Sequence, residues 1–151
     1  MTEIITVSHL KRDFMVGNEK VTALKGISFV VKQGEFVTIM GASGSGKSTL
    51  LNILGCLDTP TAGEYRLDGI PVRSMTTNER ARLRNQKIGF VFQSYNLLPR
   101  TTALENVELP LMYNSAVSSY QRREKAMQVL EAVGLADRMQ HMPNQMSGGQ
   151  Q

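Results

Sequence analysis

Residues 41–48 read Gly41-Ala42-Ser43-Gly44-Ser45-Gly46-Lys47-Ser48 and fill every fixed position of the pattern G-x-x-x-x-G-K-[ST]. The stretch follows Glu35-Phe36-Val37-Thr38-Ile39-Met40, nearly continuous in apolar character, as expected for a strand covered on both faces. Residues 47–57 then read as a helix, stopped by Asp58-Thr59-Pro60. The chemistry explains the residue types. Small residues let successive backbone N–H groups turn inward and come close to a phosphate. The helix beginning at Lys47 presents unsatisfied N–H groups and its positive dipole end to the same anion. Lys47 adds a full positive charge for the β/γ oxygens, the Ser48 hydroxyl is a natural Mg²⁺ ligand, and Thr49 follows in the same first turn. The loop implies a nucleoside triphosphate. By itself it leaves GTPases, kinases and motor ATPases open.

Working outward, residues 3–8 alternate loosely and predict a first strand. A turn at Gly17-Asn18 leads to residues 21–24 and then to the β-rich run Ile27-Ser28-Phe29-Val30-Val31, broken by Gln33-Gly34. Residues 61–73 carry Ala62-Gly63 and Asp68-Gly69 around short β-prone pieces, the pattern of a hairpin. Residues 77–86 are polar and helical in type, and Ile88-Gly89-Phe90-Val91-Phe92 is a second strongly apolar strand. From about Thr101 the character is helical. Ser118 with Gln121 forms a capping-box signature, Ala126, Val129, Leu130 and Val133 keep a helical period, and Gly134 is a fitting stop. A β-rich front, a strand-loop-helix unit and a helical tail predict an α/β core with a helical insert.

Composition bounds the rest. The chain has 151 residues, 41% hydrophobic and 20% charged, ordinary values that argue against disorder. No run approaches the ~20 apolar residues of a membrane-spanning helix, and Met1-Thr2-Glu3-Ile4-Ile5 lacks the features of a secretory signal. The expected location is therefore cytosolic. The lone Cys56 lies in an apolar stretch and reads as a buried, inert thiol; His9 and His141 have no metal-ligand spacing. The formal charge is +4, with basic clusters in residues 79–87 and 121–125. Acids and amides interrupt both clusters at helical spacing, which favours solvated helix faces over a nucleic-acid surface.

Three further features narrow the nucleotide reading. Gln93 directly follows the apolar run 88–92, Met146-Ser147-Gly148-Gly149-Gln150 closes the chain but for Gln151, and Phe14 lies upstream of the loop. Together with residues 41–48, in this order, they resemble the ATP-binding-cassette (ABC) ATPases: Gln93 their Q-loop, Ser147-Gly148-Gly149-Gln150 their signature, with Met146 for the usual Leu, and Phe14 their adenine-stacking aromatic. Residues 41–58, 88–99, 106–110 and 133–138 further resemble the macrolide-exporter and lipoprotein-release branch, especially bacterial stand-alone ATPases of MacB, LolD or YknY type.

The resemblance implies a P-loop NTPase fold of α/β class, with a β-rich part and phosphate-loop core over about 1–92 and a helical subdomain over about 93–151. It implies ATP and Mg²⁺ as ligands. Phe14, Gly41, Ala42, Ser43, Gly44, Ser45, Gly46, Lys47, Ser48, Thr49 and Gln93 would bind nucleotide, Ser48 and Gln93 also metal, and residues 147–150 the ATP of a second subunit. Its partners would be that second subunit and a membrane permease, placing the protein on the inner face of the cell membrane; no nucleic acid is expected. A naturally short non-hydrolytic nucleotide-binding module and a soluble cassette acting on nucleic acid or the ribosome are the other readings.

One departure from the family is large. No aliphatic run ending in Asp-Glu occurs in the 151 residues, and no switch histidine follows it. The sequence is thus expected to be a cassette cut just after the signature, with its catalytic half missing, able to bind ATP but not to hydrolyse it. Residues 35–40 would then have an open edge, lowering solubility and stability, and the turn begun by Ser147 would be frayed.

Overall fold

The computed structural model describes residues 2–114 and 116–151; Met1, the first residue of the N-terminal stretch read above, and Ser115 lie outside the described residues. The chain divides into two compact units, Met1–Ile88 and Gly89–Gln151.

The first unit is built on a long hairpin. Strands β1 (Glu3–Val16) and β2 (Glu19–Lys32) pair antiparallel from Glu3↔Lys32 to Val16↔Glu19, turning at Gly17 and Asn18 as the sequence predicts. Both strands run longer than expected because Lys11-Arg12-Asp13 hides the alternation while its backbone continues the ladder. Strand β3 (Ala62–Leu67) pairs with the other edge of β1 and with the short β4 (Ile70–Pro71), giving one antiparallel sheet ordered β2-β1-β3-β4.

Helix α1 (Lys47–Leu54) packs Leu50 and Ile53 into a core with Val7, Leu10, Leu24, Tyr65, Leu67, Val72 and, from helix α2 (Thr77–Lys87), Leu83. Tyr65 Oη donates to the Leu54 carbonyl at 2.7 Å, satisfying an orphan acceptor at the helix end. That end comes three residues earlier than the sequence suggests. Cys56 takes a left-handed conformation (φ 55°), and the N–H groups of Leu57 and Asp58 fold back onto Asn52 O. Cys56 is fully buried, and burial raises its thiol pKa. Several basic residues of α2 have structural partners: Arg84 Nη1 donates to Cys56 O at 2.9 Å and Lys87 pairs with Asp68 at 2.6 Å.

The two apolar runs predicted as parallel strands are not strands here. Residues 35–40 and 88–92 have no ladder partner among the described residues, and a strand exists only by its partners. Phe36 is 95% exposed, Met40 84%, and Val91 fully so, leaving surface that a buried strand would hide. Phe90 and Phe92 stack on each other, ring centroids 5.6 Å apart.

In the second unit, α3 (Ala103–Met112) and α4 (Ser119–Ala132) bury Ala103, Leu104, Ala126 and Leu130, with Val107, Leu135, Met139 and Met146 packed around them. The first-turn N–H groups of Ala103 and Leu104 donate to the carbonyls of His141 and Met139, anchoring the segment that leads to residue 147. Gly134 (φ 75°) ends α4, with the Leu135 N–H bonded back to Leu130 O.

Three helices begin with complete capping boxes: Thr76/Glu79, Thr102/Glu105 and Ser118/Gln121. The Thr76 side chain holds the Glu79 carboxyl below its usual range, and the Thr102 backbone N–H does the same for Glu105. Because each folded-state pKa lies below the unfolded value, their stabilisation is present above about pH 4.5 and is lost as pH falls through the lower folded value. We expect the urea midpoint to fall from pH 6 to pH 3.5, and to fall less in a Glu79→Gln/Glu105→Gln variant, which keeps the hydrogen-bond acceptors without titrating.

Candidate phosphate-binding loop

After β2 the backbone runs without regular structure from residue 33 to α1, and the segment 41–46 forms the loop. Its last residue, Gly46, is the N-cap of α1 in a left-handed conformation (φ 92°). A Cβ at Gly46 would sit 2.7 Å from Ala23 O and 3.0 Å from Leu24 Cδ2, both on β2. Glycine is needed twice over here, for the dihedral and for the contact.

That glycine leaves the helix start bare. α1 has no side-chain cap and no acidic residue in its first turn, whereas α2, α3 and α4 each have a full capping box. The N–H groups of its first turn and its dipole therefore face the loop without an internal anion. Lys47 is the only charged residue among 41–49. Its ammonium turns back and donates to Gly41 O at 2.8 Å and Ala42 O at 2.7 Å, across the loop mouth. The Ser48 side chain is exposed and Thr49 half-buried. An uncapped helix start, a lysine held by weak neutral acceptors and an exposed hydroxyl together fit a polyphosphate with its divalent cation.

The other predicted site residues fall as follows. Phe14, in the same unit, lies on β1 opposite Val21, 37% exposed, with the Arg12 guanidinium 4.5 Å from its ring centroid. Arg12 is a residue that reading the sequence missed. Its signal was a cation two positions before an aromatic, which a strand places on one face. Gln93 is exposed at a bend in the second unit. Also there, Ser147 N–H donates to Gln150 Oε1 at 3.0 Å, and Ser147 O accepts from the N–H groups of Gln150 and Gln151 at 2.9 and 3.1 Å. A first helical turn is thus present at the signature, further secured by Gln151 Nε2 bonding to Pro143 O and Met146 O. The Tyr95 hydroxyl lies 2.8 Å from where a Cβ on Gly148 would stand, so Gly148 admits an aromatic neighbour that the sequence did not reveal.

The ABC transporter family profile matches residues 24–151. The chain belongs to the ABC transporter family. It is 52% identical to the Bacillus subtilis ABC transporter ATP-binding protein YknY, over 97% of this chain and 64% of that protein. It is 53% identical to the macrolide export ATP-binding/permease protein MacB of Rhodopirellula baltica, over 97% of this chain and 22% of that one. Among solved structures, the dimeric ATP-binding cassette MJ0796 of Methanocaldococcus jannaschii, in a post-hydrolysis state bound to ADP and Pi, superposes with a TM-score of 0.86 at 47% identity, covering 97% of this chain and 65% of that one. The fold is therefore that of an ABC ATPase cassette, of which these residues span about two-thirds of the length, and the relatives include YknY and MacB, the types that the sequence motifs suggested.

Gly46→Ala should be costly in this cassette. The strained dihedral and the collision with the Ala23 carbonyl together cost about 1–3 kcal/mol, to be read as a lowered urea midpoint. Ala at Gly44, whose Cβ would meet nothing within 4 Å, serves as the control with the same dihedral preference but no collision (φ 79°).

Proposed function

We propose that residues 41–48 bind the phosphates of Mg-ATP. The observation that carries this reading is the uncapped start of α1 beside a lysine that, among the described residues, bonds two backbone carbonyls and no carboxylate. On this reading Lys47 exchanges Gly41 O and Ala42 O for phosphate oxygens, and the N–H groups of the first turn of α1 take a share of the same charge. Ser48 would hold Mg²⁺, which when bound neutralises phosphate charge. Thr49 supports the same turn, and Phe14 would stack on adenine.

The signature Ser147-Gly148-Gly149-Gln150 would serve the nucleotide of a second subunit, with small residues for close backbone approach and a helix start for the dipole. The dimeric state of MJ0796 named above supports that pairing. The complete protein would then be an ATPase driving export or lipoprotein-release type transport through a membrane permease, at the inner face of the membrane; likeness to MacB supports this class. For the 151 residues alone we propose binding without turnover, since they contain no Asp-Glu run to organise Mg²⁺ and activate water.

Calorimetric titration of the chain with Mg-ATP tests both parts. Lys47→Ala should weaken binding at least about tenfold, the loss of a charge-assisted contact worth ~1.5–3 kcal/mol, and phosphate release should stay at background for both proteins. Undiminished binding by folded Lys47→Ala would show that the loop is not the nucleotide site. Steady phosphate release by the unmodified chain, abolished in Lys47→Ala, would sink the claim of binding without turnover.

A further inference from the structure

Arg12 is placed with more care than a surface cation needs. Its guanidinium carbon lies 4.5 Å from the Phe14 centroid, within cation–π range. One of its terminal nitrogens pairs with Asp58 Oδ1 at 2.9 Å, and both side chains are about three-quarters buried, with 23% and 27% exposure. Asp58 is fixed in turn. Its Oδ1 accepts from the Thr59 N–H at 2.7 Å, and its own N–H donates to Asn52 O of α1 at 3.2 Å.

The strand is braced at the same point: the Thr61 N–H donates to Lys11 O at 2.8 Å, and the Asp13 N–H to Thr61 Oγ1 at 3.0 Å. Arg12, Asp58 and Phe14 thus tie the far end of the phosphate-loop helix to the aromatic ring. The arrangement also carries a cost. Arg12 Nε is buried with no hydrogen-bond partner among the described residues, which a residue serving stability alone would not favour.

We propose that Arg12 is a positioning residue for base recognition: pinned by Asp58, it backs the Phe14 ring and leaves the ring's other face set to stack on the purine of a nucleoside triphosphate. This rests on the reading that Phe14 meets the base. Two effects act together. A cation beneath the ring draws π density toward itself, which lessens the face-to-face repulsion between the ring and a second aromatic system. A ring already held in place also loses less freedom when the base arrives.

The test compares two probes by calorimetry on the 151-residue chain, Mg-ATP and Mg-tripolyphosphate, the second carrying phosphates and no base. Arg12→Ala should weaken Mg-ATP about fivefold, in the range of one partly exposed cation–π contact, and leave tripolyphosphate unchanged. Arg12→Lys should recover part of the loss, Asp58→Asn should show a smaller loss of the same kind, and adding Arg12→Ala to Phe14→Ala should bring no further loss. Equal weakening of both probes by Arg12→Ala would mean the pair only holds the fold, and unchanged Mg-ATP affinity would overturn the proposal outright. If Arg12→Ala does not fold, the ratio of the two affinities in Arg12→Lys decides in the same way. Should Phe14→Ala bind Mg-ATP normally while Lys47→Ala does not, the ring has no part in binding and this proposal falls, with the phosphate loop standing. Should the unmodified chain bind neither probe, the phosphate loop reading falls with it.

Discussion

Backbone against backbone at Gly46 is the contact on which the first unit depends. The N-cap of α1 lies so near the Ala23 carbonyl of β2 that a methyl group would not fit. That proximity brings Leu50 and Ile53 down onto the sheet, where Leu24, Val7 and Leu10 meet them. At the other end of the helix the Tyr65 hydroxyl takes the Leu54 carbonyl, and the left-handed Cys56 offers its carbonyl to Arg84, so β3 and α2 are joined to the same short helix. The eight-residue helix and the turn that follows it thus reach β2, β3 and α2.

The second unit uses a different device. Its helices begin with side chains that close their own N–H groups, and α3 takes two further acceptors from the carbonyls of residues 139 and 141. Those acceptors lie a few residues before Ser147, so the start of α3 and the approach to the signature constrain each other. The contrast with α1 is instructive. A Thr or Ser completes the starts of α2, α3 and α4; at α1 the place of the cap is taken by glycine.

Features encoded by local chemistry were legible before any coordinates. Gly17-Asn18 marked its turn, Thr77 onward its helix, Ser118 and Gln121 their cap, and Gly134 its stop, because each depends on residues within one turn of one another. The Gly/Ser-rich loop and the start of α1 at Lys47 were legible for the same reason. Features that depend on distant partners were not. Residues 35–40 have the composition of a buried strand, but composition does not supply a ladder, and their neighbours in this structure provide none. The end of α1 was misplaced because a left-handed cysteine carries no compositional sign. Arg12 was overlooked since its meaning comes from Asp58, forty-six positions away, and from a ring two positions on.

The two bonds from Lys47 to the loop carbonyls have a bearing on selectivity. The loop carbonyls already engage the Lys47 ammonium, so on the proposed reading a ligand would enter by exchange rather than by simple addition. A singly charged anion offers the ammonium little that two carbonyl oxygens do not already provide. A polyphosphate offers several charged oxygens at once and reaches the N–H groups of α1 as well. On the proposed reading the closed lysine would act as a valence threshold, by which a small exposed loop could ignore the abundant monoanions of its surroundings and still respond to a triphosphate.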